Sequence, residues 1–256
     1  MPAEKTTGVV LKVVEFSETS CVVTFYTRDF GKITAMAKGA RRLRSPFEGA
    51  IDLLTTCRIV FLRKSLDKLD LLTEAKLLRR FRSSSSDLSR FYAGLYVIEL
   101  VSALTDPADP QPELYDLVER TIDEIDSSAN PHVALQLLQF QLGLLTALGH
   151  QPSLDDCVGC GNPVVDSSSA VRVAFGMLAG GVYCPRCRSG KRNVVGLNKE
   201  TLLLMRKLSE PTISLDNVEA TKSSCGELGG LLEQYVADLI GYRPKMQAWL
   251  KQAFRE

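Results

Sequence analysis

The chain has 256 residues, 45% hydrophobic and 24% charged, the composition of a soluble globular protein with room for one large domain or two to three small ones. The opening Met1-Pro2-Ala3-Glu4-Lys5-Thr6 puts no apolar stretch behind a basic start, and no segment approaches the ~18 uninterrupted apolar residues of a membrane span. A signal peptide and a membrane anchor are therefore not expected, and a cytoplasmic location is. The net charge of +1 conceals a segregation: residues 1–82 hold 16 Lys/Arg against 9 Asp/Glu, residues 83–156 hold 2 against 12, and residues 157–256 hold 13 against 9. The first and third segments are the candidates for polyanion binding.

Residues 1–82 read as β. Thr6 to Phe16 is rich in Val and Leu, Cys21–Thr27 is a second strand, and Arg28-Asp29-Phe30-Gly31 is its turn. Ile33–Ala37 returns as a third, and Ala50 to Leu62 and Leu69 to Leu78 complete about five strands. Five short strands in roughly 80 residues fit a small barrel of the OB type, with an SH3-like barrel as the nearest rival.

The period then changes. Ser83 to Asp87 is a polar break that supplies N-caps, and Leu88, Phe91, Tyr92, Leu95, Ile98 and Val101 recur at helical spacing. Asp106-Pro107 and Asp109-Pro110 end that helix, and Pro112 sits in the first turn of the next. Asn130-Pro131 signals a third helix, apolar on nearly every side, which should lie at the centre of a bundle and end at Gly149. Asn198 is expected to cap a helix through Leu208, another spans Ser223 to Leu239, and Tyr242 to Phe254 forms a basic tail with Trp249 and Phe254 as apolar contacts.

Between the helical stretches stand two cysteine pairs, Cys157-Val158-Gly159-Cys160 and Cys184-Pro185-Arg186-Cys187, separated by 23 residues. Two such hairpins can aim four thiolates at one tetrahedral Zn²⁺. Seven cysteines in a chain without secretory features argue against disulfides. Four sulfurs leave no open position for water, so the expected zinc is structural. Cys21, Cys57 and Cys225 read as small buried hydrophobes. The expected layout is an OB-fold DNA-binding domain at 1–82, a helical domain at 83–156 and 193–256, and a zinc-finger-like insertion at 157–192.

The sharpest basic cluster is Lys32, Lys38, Arg41, Arg42 and Arg44, on a loop after the third strand with no acid between Lys32 and Arg44. Cations on such a loop can follow a phosphate backbone, and beside an OB barrel this outweighs the alternative of a solvated basic loop. Phe25, Tyr26, Phe30 and Phe47 are candidate stacking platforms, of which one or two are expected to be exposed. Arg186, Arg188, Lys191 and Arg192 form a second basic group on the ribbon, for which a solvated edge is nearly as good a reading. No nucleotide-binding glycine loop is present, the two histidines sit at helix ends, and the zinc-deaminase pattern fails at Tyr183, so no enzyme is expected.

Nearly the whole chain resembles the bacterial recombination mediator family RecO. The resemblance rests on Gly8-Val9-Val10-Leu11, Glu18, Thr24 to Lys32, Ala37-Lys38-Gly39-Ala40-Arg41-Arg42 with Ser45, Gly143-Leu144-Leu145, Gly149-His150-Gln151-Pro152, Cys157 to Gly161, and Gly180 to Cys187. It implies an N-terminal OB fold, a helical domain and a zinc-finger-like insertion. It also implies binding of single- and double-stranded DNA, ATP-independent annealing of complementary strands, and help in loading RecA onto DNA coated by single-strand-binding protein. RecR and the acidic tail of the single-strand-binding protein are the implied partners. Lys38, Arg41 and Arg42 match the family's basic loop, and the four cysteines match a metal site that some members lack. Family tails often carry a basic-Ser-basic stretch; here Tyr242 to Trp249 has no Ser. The competing expectations are an RNA-associated OB and zinc-ribbon module, and a metal-dependent enzyme motivated only by the cysteines.

Overall fold

The computed structural model describes residues 3–253 apart from 43, 44, 46, 48, 65–68, 84–86, 128–131, 165–171 and 211. The expected roles of Arg44, Phe254, Asn130-Pro131 and the middle of the Ser83–Asp87 break lie outside the described residues. The chain forms two compact units, one of residues 1–133 with 244–256 and one of 134–243.

The first unit is built on a barrel. Strands β1 (Ala3–Glu15), β2 (Cys21–Thr27), β3 (Gly31–Ala37), β4 (Thr56–Leu62) and β5 (Asp70–Arg79) pair in the order β1-β2-β3-β5-β4, and β4 returns to β1. All pairings are antiparallel except β3 with β5, where Ala35–Ala37 run beside Asp70–Leu72. This is the OB arrangement. It requires a long β1 that serves two neighbours, and a shift of register between Val10 and Lys12 lets the strand turn from β4 to β2. The strands alternate, so Val23, Phe25, Ile33, Ala35, Ile59 and Phe61 fill the interior. The strand expected from Ala50 is shorter than its apolar run. Residues 49–54 are turns because the Thr55 hydroxyl ties back to the carbonyls of Ala50 and Asp52.

Helix α1 (Leu88–Leu104) starts at Asp87, whose carboxylate accepts the Arg90 N–H at 3.1 Å. Helix α2 (Pro112–Asp126) has Pro at its start and a clean apolar face of Leu114, Tyr115, Val118, Ile122 and Ile125. It lies against the barrel: Tyr115 stacks on Tyr26 at 6.4 Å between centroids, and Arg79 of β5 pairs with Glu119 and Asp123. The α1–α2 connection is fastened to the β2–β3 turn, where Ala108 N–H donates to the Lys32 carbonyl. Gly31 stands at φ 64° there, and a Cβ would lie 2.2 Å from the Asp109 carbonyl oxygen, so no other residue fits. The C-terminal α6 (Met246–Ala253) returns to α1; Glu99 accepts the N–H groups of Lys245 and Met246, and Trp249 lies 5.8 Å from Tyr92.

The second unit holds α3 (Val133–Ala147), a sheet of β6 (Arg172–Gly176), β7 (Gly181–Tyr183) and β8 (Val194–Asn198), then α4 (Lys199–Leu208) and α5 (Lys222–Ile240). The sheet order is β7-β6-β8. Helix α3 buries Leu135, Leu138, Leu142 and Leu145 in this unit's core beside Phe175, Met205 and Leu232. It ends as expected at Gly149, φ 75°, with His150 N–H on the Leu145 carbonyl and Gly149 N–H on that of Thr146. Asn198 occupies the N-cap of α4 but its side chain makes no capping bond. Glu227 of α5 anchors this turn in another way, accepting the Asn198 N–H, the Thr201 hydroxyl and Arg172. Burial would raise the Glu227 carboxyl, but these donors together hold it below the ordinary range.

Candidate nucleic-acid interface and metal centre

The four sulfurs of Cys157, Cys160, Cys184 and Cys187 lie within 4.8 Å of one another. The first pair sits on a knuckle closed by Cys157 N–H on the Asn162 carbonyl and Gly161 N–H on that of Cys157. The second leaves β7 and turns in the same way, with the N–H groups of Cys187 and Arg188 on the Cys184 carbonyl. The knuckles are brought together by Val158 N–H on the Val182 carbonyl and by the Ser153–Gly181 bridge. At Gly159 they also approach closely: a Cβ there would lie 2.9 Å from that of Cys187.

This donor set fits a tetrahedral ion. Zn–S bonds of about 2.3 Å give an edge of about 3.8 Å, and Cys160 Sγ stands 3.9 Å from Cys184 Sγ. The Cys157 sulfur also accepts the N–H of Cys184 at 3.2 Å and of Gly159 at 3.4 Å. Burial pushes its thiol up, but these and neighbouring bonds outweigh it and bring the pKa down to about 6. Cys187, crowded by Cys184, Cys160 and Cys157, is pushed up to about 12. One thiolate is easy here and a full set is not, unless a cation shares the site.

The loop after β3 carries Lys38, Arg41 and Arg42, all exposed. It is not a loose tether. Arg41 N–H donates to the Thr19 carbonyl, Gly39 N–H to the Ser20 hydroxyl, and the Arg41 guanidinium reaches the Ser17 carbonyl at 3.4 Å and Glu15 at 3.1 Å. Loop and β1–β2 hairpin tip therefore form one surface. Lys32 does not belong to it. Its ammonium donates to the carbonyls of Ser102 at 2.7 Å and Thr105 at 2.5 Å, at the end of α1. Burial lowers its pKa against the pull of Asp106. The expectation that Lys32 faces a nucleic acid is corrected: it fastens a helix to the barrel.

Comparison with known proteins agrees with this architecture. Residues 1–81 match the family model described as Recombination protein O N terminal, and residues 85–247 match Recombination protein O C terminal. The chain belongs to the Recombination protein O family. It is similar to proteins named DNA repair protein RecO: 38% identical to that of Rhodopirellula baltica over 95% of this chain and 97% of the relative, and 32% identical to that of Symbiobacterium thermophilum over 95% and 94%. The protein of Anaeromyxobacter dehalogenans strain 2CP-C is 34% identical over 98% and 97%.

Within this Recombination protein O chain, Arg186, Arg188, Lys191 and Arg192 are all exposed on the loop between β7 and β8. Lys191 lies over the Tyr183 ring at 5.8 Å. The stacking candidates fare differently. Phe25, Tyr26 and Phe47 are buried, and the half-buried Phe30 sits edge-on to Phe61 under the Arg63 guanidinium. On the barrel an exposed aromatic is instead Phe16, 65% accessible at the hairpin tip, with Val13 and Val14 also exposed before it. A signal was present: Phe16 stands between Glu15 and Ser17, beyond the alternation that buries an aromatic. No helix among the described residues is long and apolar enough to cross a membrane.

Proposed function

We propose that this chain is a DNA-binding recombination mediator that acts in DNA repair. The observation that carries the reading is the joint surface of the basic loop and the β1–β2 hairpin, where three exposed cations, Lys38, Arg41 and Arg42, border an exposed aromatic, Phe16. Cations that track phosphates beside a ring that accepts any base suit single strands without sequence preference. Double-stranded DNA meets the same cations through its backbone alone.

Annealing of complementary strands then needs no nucleotide. The protein lowers the repulsion between two phosphate chains while base pairing supplies the driving force, and no catalytic group is assigned. The exposed ribbon cations Arg186, Arg188, Lys191 and Arg192 offer phosphate contacts of their own. Zn²⁺ held by Cys157, Cys160, Cys184 and Cys187 fixes the direction of Arg186, which lies between two ligands; the all-sulfur set favours zinc in a structural role. Membership of the family supports the further roles: loading of RecA onto DNA coated by single-strand-binding protein, with RecR and that protein's acidic tail as partners, in the cytoplasm at the nucleoid.

The test is annealing of complementary oligonucleotides with and without ATP across a salt series. Acceleration that is indifferent to ATP and falls with salt is expected. An ATP requirement, or a strong preference for single-stranded RNA over DNA of equal length in competition, overturns the reading.

A further inference from the structure

A second cationic surface lies on the outer wall of the barrel, on elements that neither the basic loop nor the hairpin tip uses. Alternation along β4 and β5 sends Ile59, Phe61 and Ala75 into the core and leaves Arg58 and Lys76 outside. The register sets these two cations directly opposite each other across the β4–β5 ladder. On the other side of β4, Lys5 of β1 pairs with Val60 and shares the same face. All three are exposed and none is in an ion pair among the described residues.

Like charges placed directly across a ladder oppose folding. A barrel wall under no other demand would carry one charge of each sign there. The wall is also concave. A hollow of about 530 Å³ is lined by Lys5, Arg58, Val60 and Lys76, with Glu74 its one acid. It adjoins at Leu77 a hollow of about 970 Å³ that contains Arg79 and Arg80. The acids of that second hollow are already engaged: Glu119 and Asp123 by Arg79, and Asp126 by the N–H groups of Arg82 and Ser83. The two hollows together follow β5 from Glu74 to beyond its end.

We infer that the β4–β5 wall, through Lys5, Arg58, Lys76 and Arg80, is a second track for the phosphate backbone of single-stranded DNA. The inference rests on the DNA-binding reading above and adds to it the place where a second strand lies. Apolar Val60, opposite Lys5 and one alternation from Arg58, gives sugar and base edges a floor, and the charge complementarity selects a polyanion. Annealing requires two strands on one protein, and this wall leaves the hairpin surface free for the first.

The experiment uses the full chain and two non-complementary oligothymidines, one carrying a donor dye and one an acceptor. Energy transfer is read at protein concentrations where mass photometry finds one chain per complex. The wild type is expected to hold both strands. Arg58→Glu should bind the first within about twofold, bind the second at least about tenfold more weakly, and lower the salt slope of the second event by about 0.7. Its melting temperature should rise by about 1–3 °C, because a carboxylate would then face the Lys76 ammonium across the ladder. That rise separates lost binding from lost folding. Lys76→Gln should weaken the second strand with the fold intact. Equal second-strand binding in wild type and Arg58→Glu, or saturation of the wild type at one strand per chain, overturns the track alone. A wild type that binds no strand overturns the DNA-binding reading with it.

Discussion

The barrel loop and the metal ribbon both present a short run of exposed cations, but they hold them by different means. Around Lys38, Arg41 and Arg42 the backbone is fixed by N–H bonds to the Thr19 carbonyl and the Ser20 hydroxyl, and the strands beneath are part of a closed ladder with its own core. Around Arg186 and Arg188 the apolar support is small. Cys157, Ala174 and Tyr183 are its buried members, and the neighbours are Val158, Val164, Val194, Cys184 and Cys187. So small a cluster cannot order two knuckles by itself. The difference teaches that one surface is a property of the fold and that the other needs a further tie, which the ion proposed for the four cysteines would supply. If so, removing the ion damages one and spares the other.

The largest effect is expected from that removal. Chelation, or Cys184→Ser, should unfold the ribbon at a cost of several kcal/mol, since the free energy of binding a structural metal is largely free energy of folding. Limited proteolysis should cut first between 157 and 192, and single-strand affinity should fall no more than about threefold. Acid should do the same work more gently. The Cys157 pKa in the fold lies below its ordinary value, at about 6, so its stabilising contribution is present above the unfolded value of about 9 and is lost as pH falls through 6. Metal release on acidification is expected separately, because protons compete with the ion for all four thiolates. Equal damage to hairpin-surface binding and ribbon integrity would erase the distinction between the two regions.

A smaller effect belongs to the loop. Arg41→Ala with Arg42→Ala should weaken single-strand binding by about tenfold at moderate salt and flatten its salt dependence by about 0.7 log unit for each lost phosphate contact. Lys32→Ala is the control. It breaks two charge-assisted bonds to the end of α1 and should cost about 1–2 kcal/mol of stability, read by denaturant titration, while leaving the salt slope unchanged. A flattened slope in Lys32→Ala would return that residue to the interface.

Why Lys32 misled the sequence reading is instructive. In sequence it heads a basic cluster; in space it alternates with buried Ile33 and points at helix carbonyls at least 70 residues away. Period and turn chemistry made the strands, the α2 start and the Gly149 stop legible, because each depends on neighbours in the chain. The metal cluster was legible for the same reason, as two local hairpins. Strands β6 and β8 were not. Each has five residues, they pair across the whole ribbon, and neither can bury a face until the other arrives. The start of α4 was half visible: Asn198 announced the position, but the Asn198 N–H and the Thr201 hydroxyl are held by Glu227 from the following helix.

The smallest effect tests the hairpin tip. Sequence offered Phe25, Tyr26, Phe30 and Phe47 as candidate stacking rings, with one or two expected to be exposed; three are buried and Phe30 is half-buried, and Phe16 was read only as the end of a strand. Phe16→Leu keeps apolar area at the tip and removes only the ring face. Stacking on an aromatic is worth about 1–3 kcal/mol per base by truncation, so this milder change should cost about 1 kcal/mol, or roughly fivefold in single-strand affinity. Double-stranded DNA keeps its bases stacked on each other and offers the ring nothing, so its affinity should hold. The salt slope should hold as well, since no phosphate contact is lost. Fluorescence of 2-aminopurine in a bound oligonucleotide reads the contact directly: quenching in the wild type and its loss in Phe16→Leu are expected. A change in slope with no change in quenching would instead mean that Phe16 acts by holding Arg41 in place, and the surface would then be purely electrostatic, like the ribbon's.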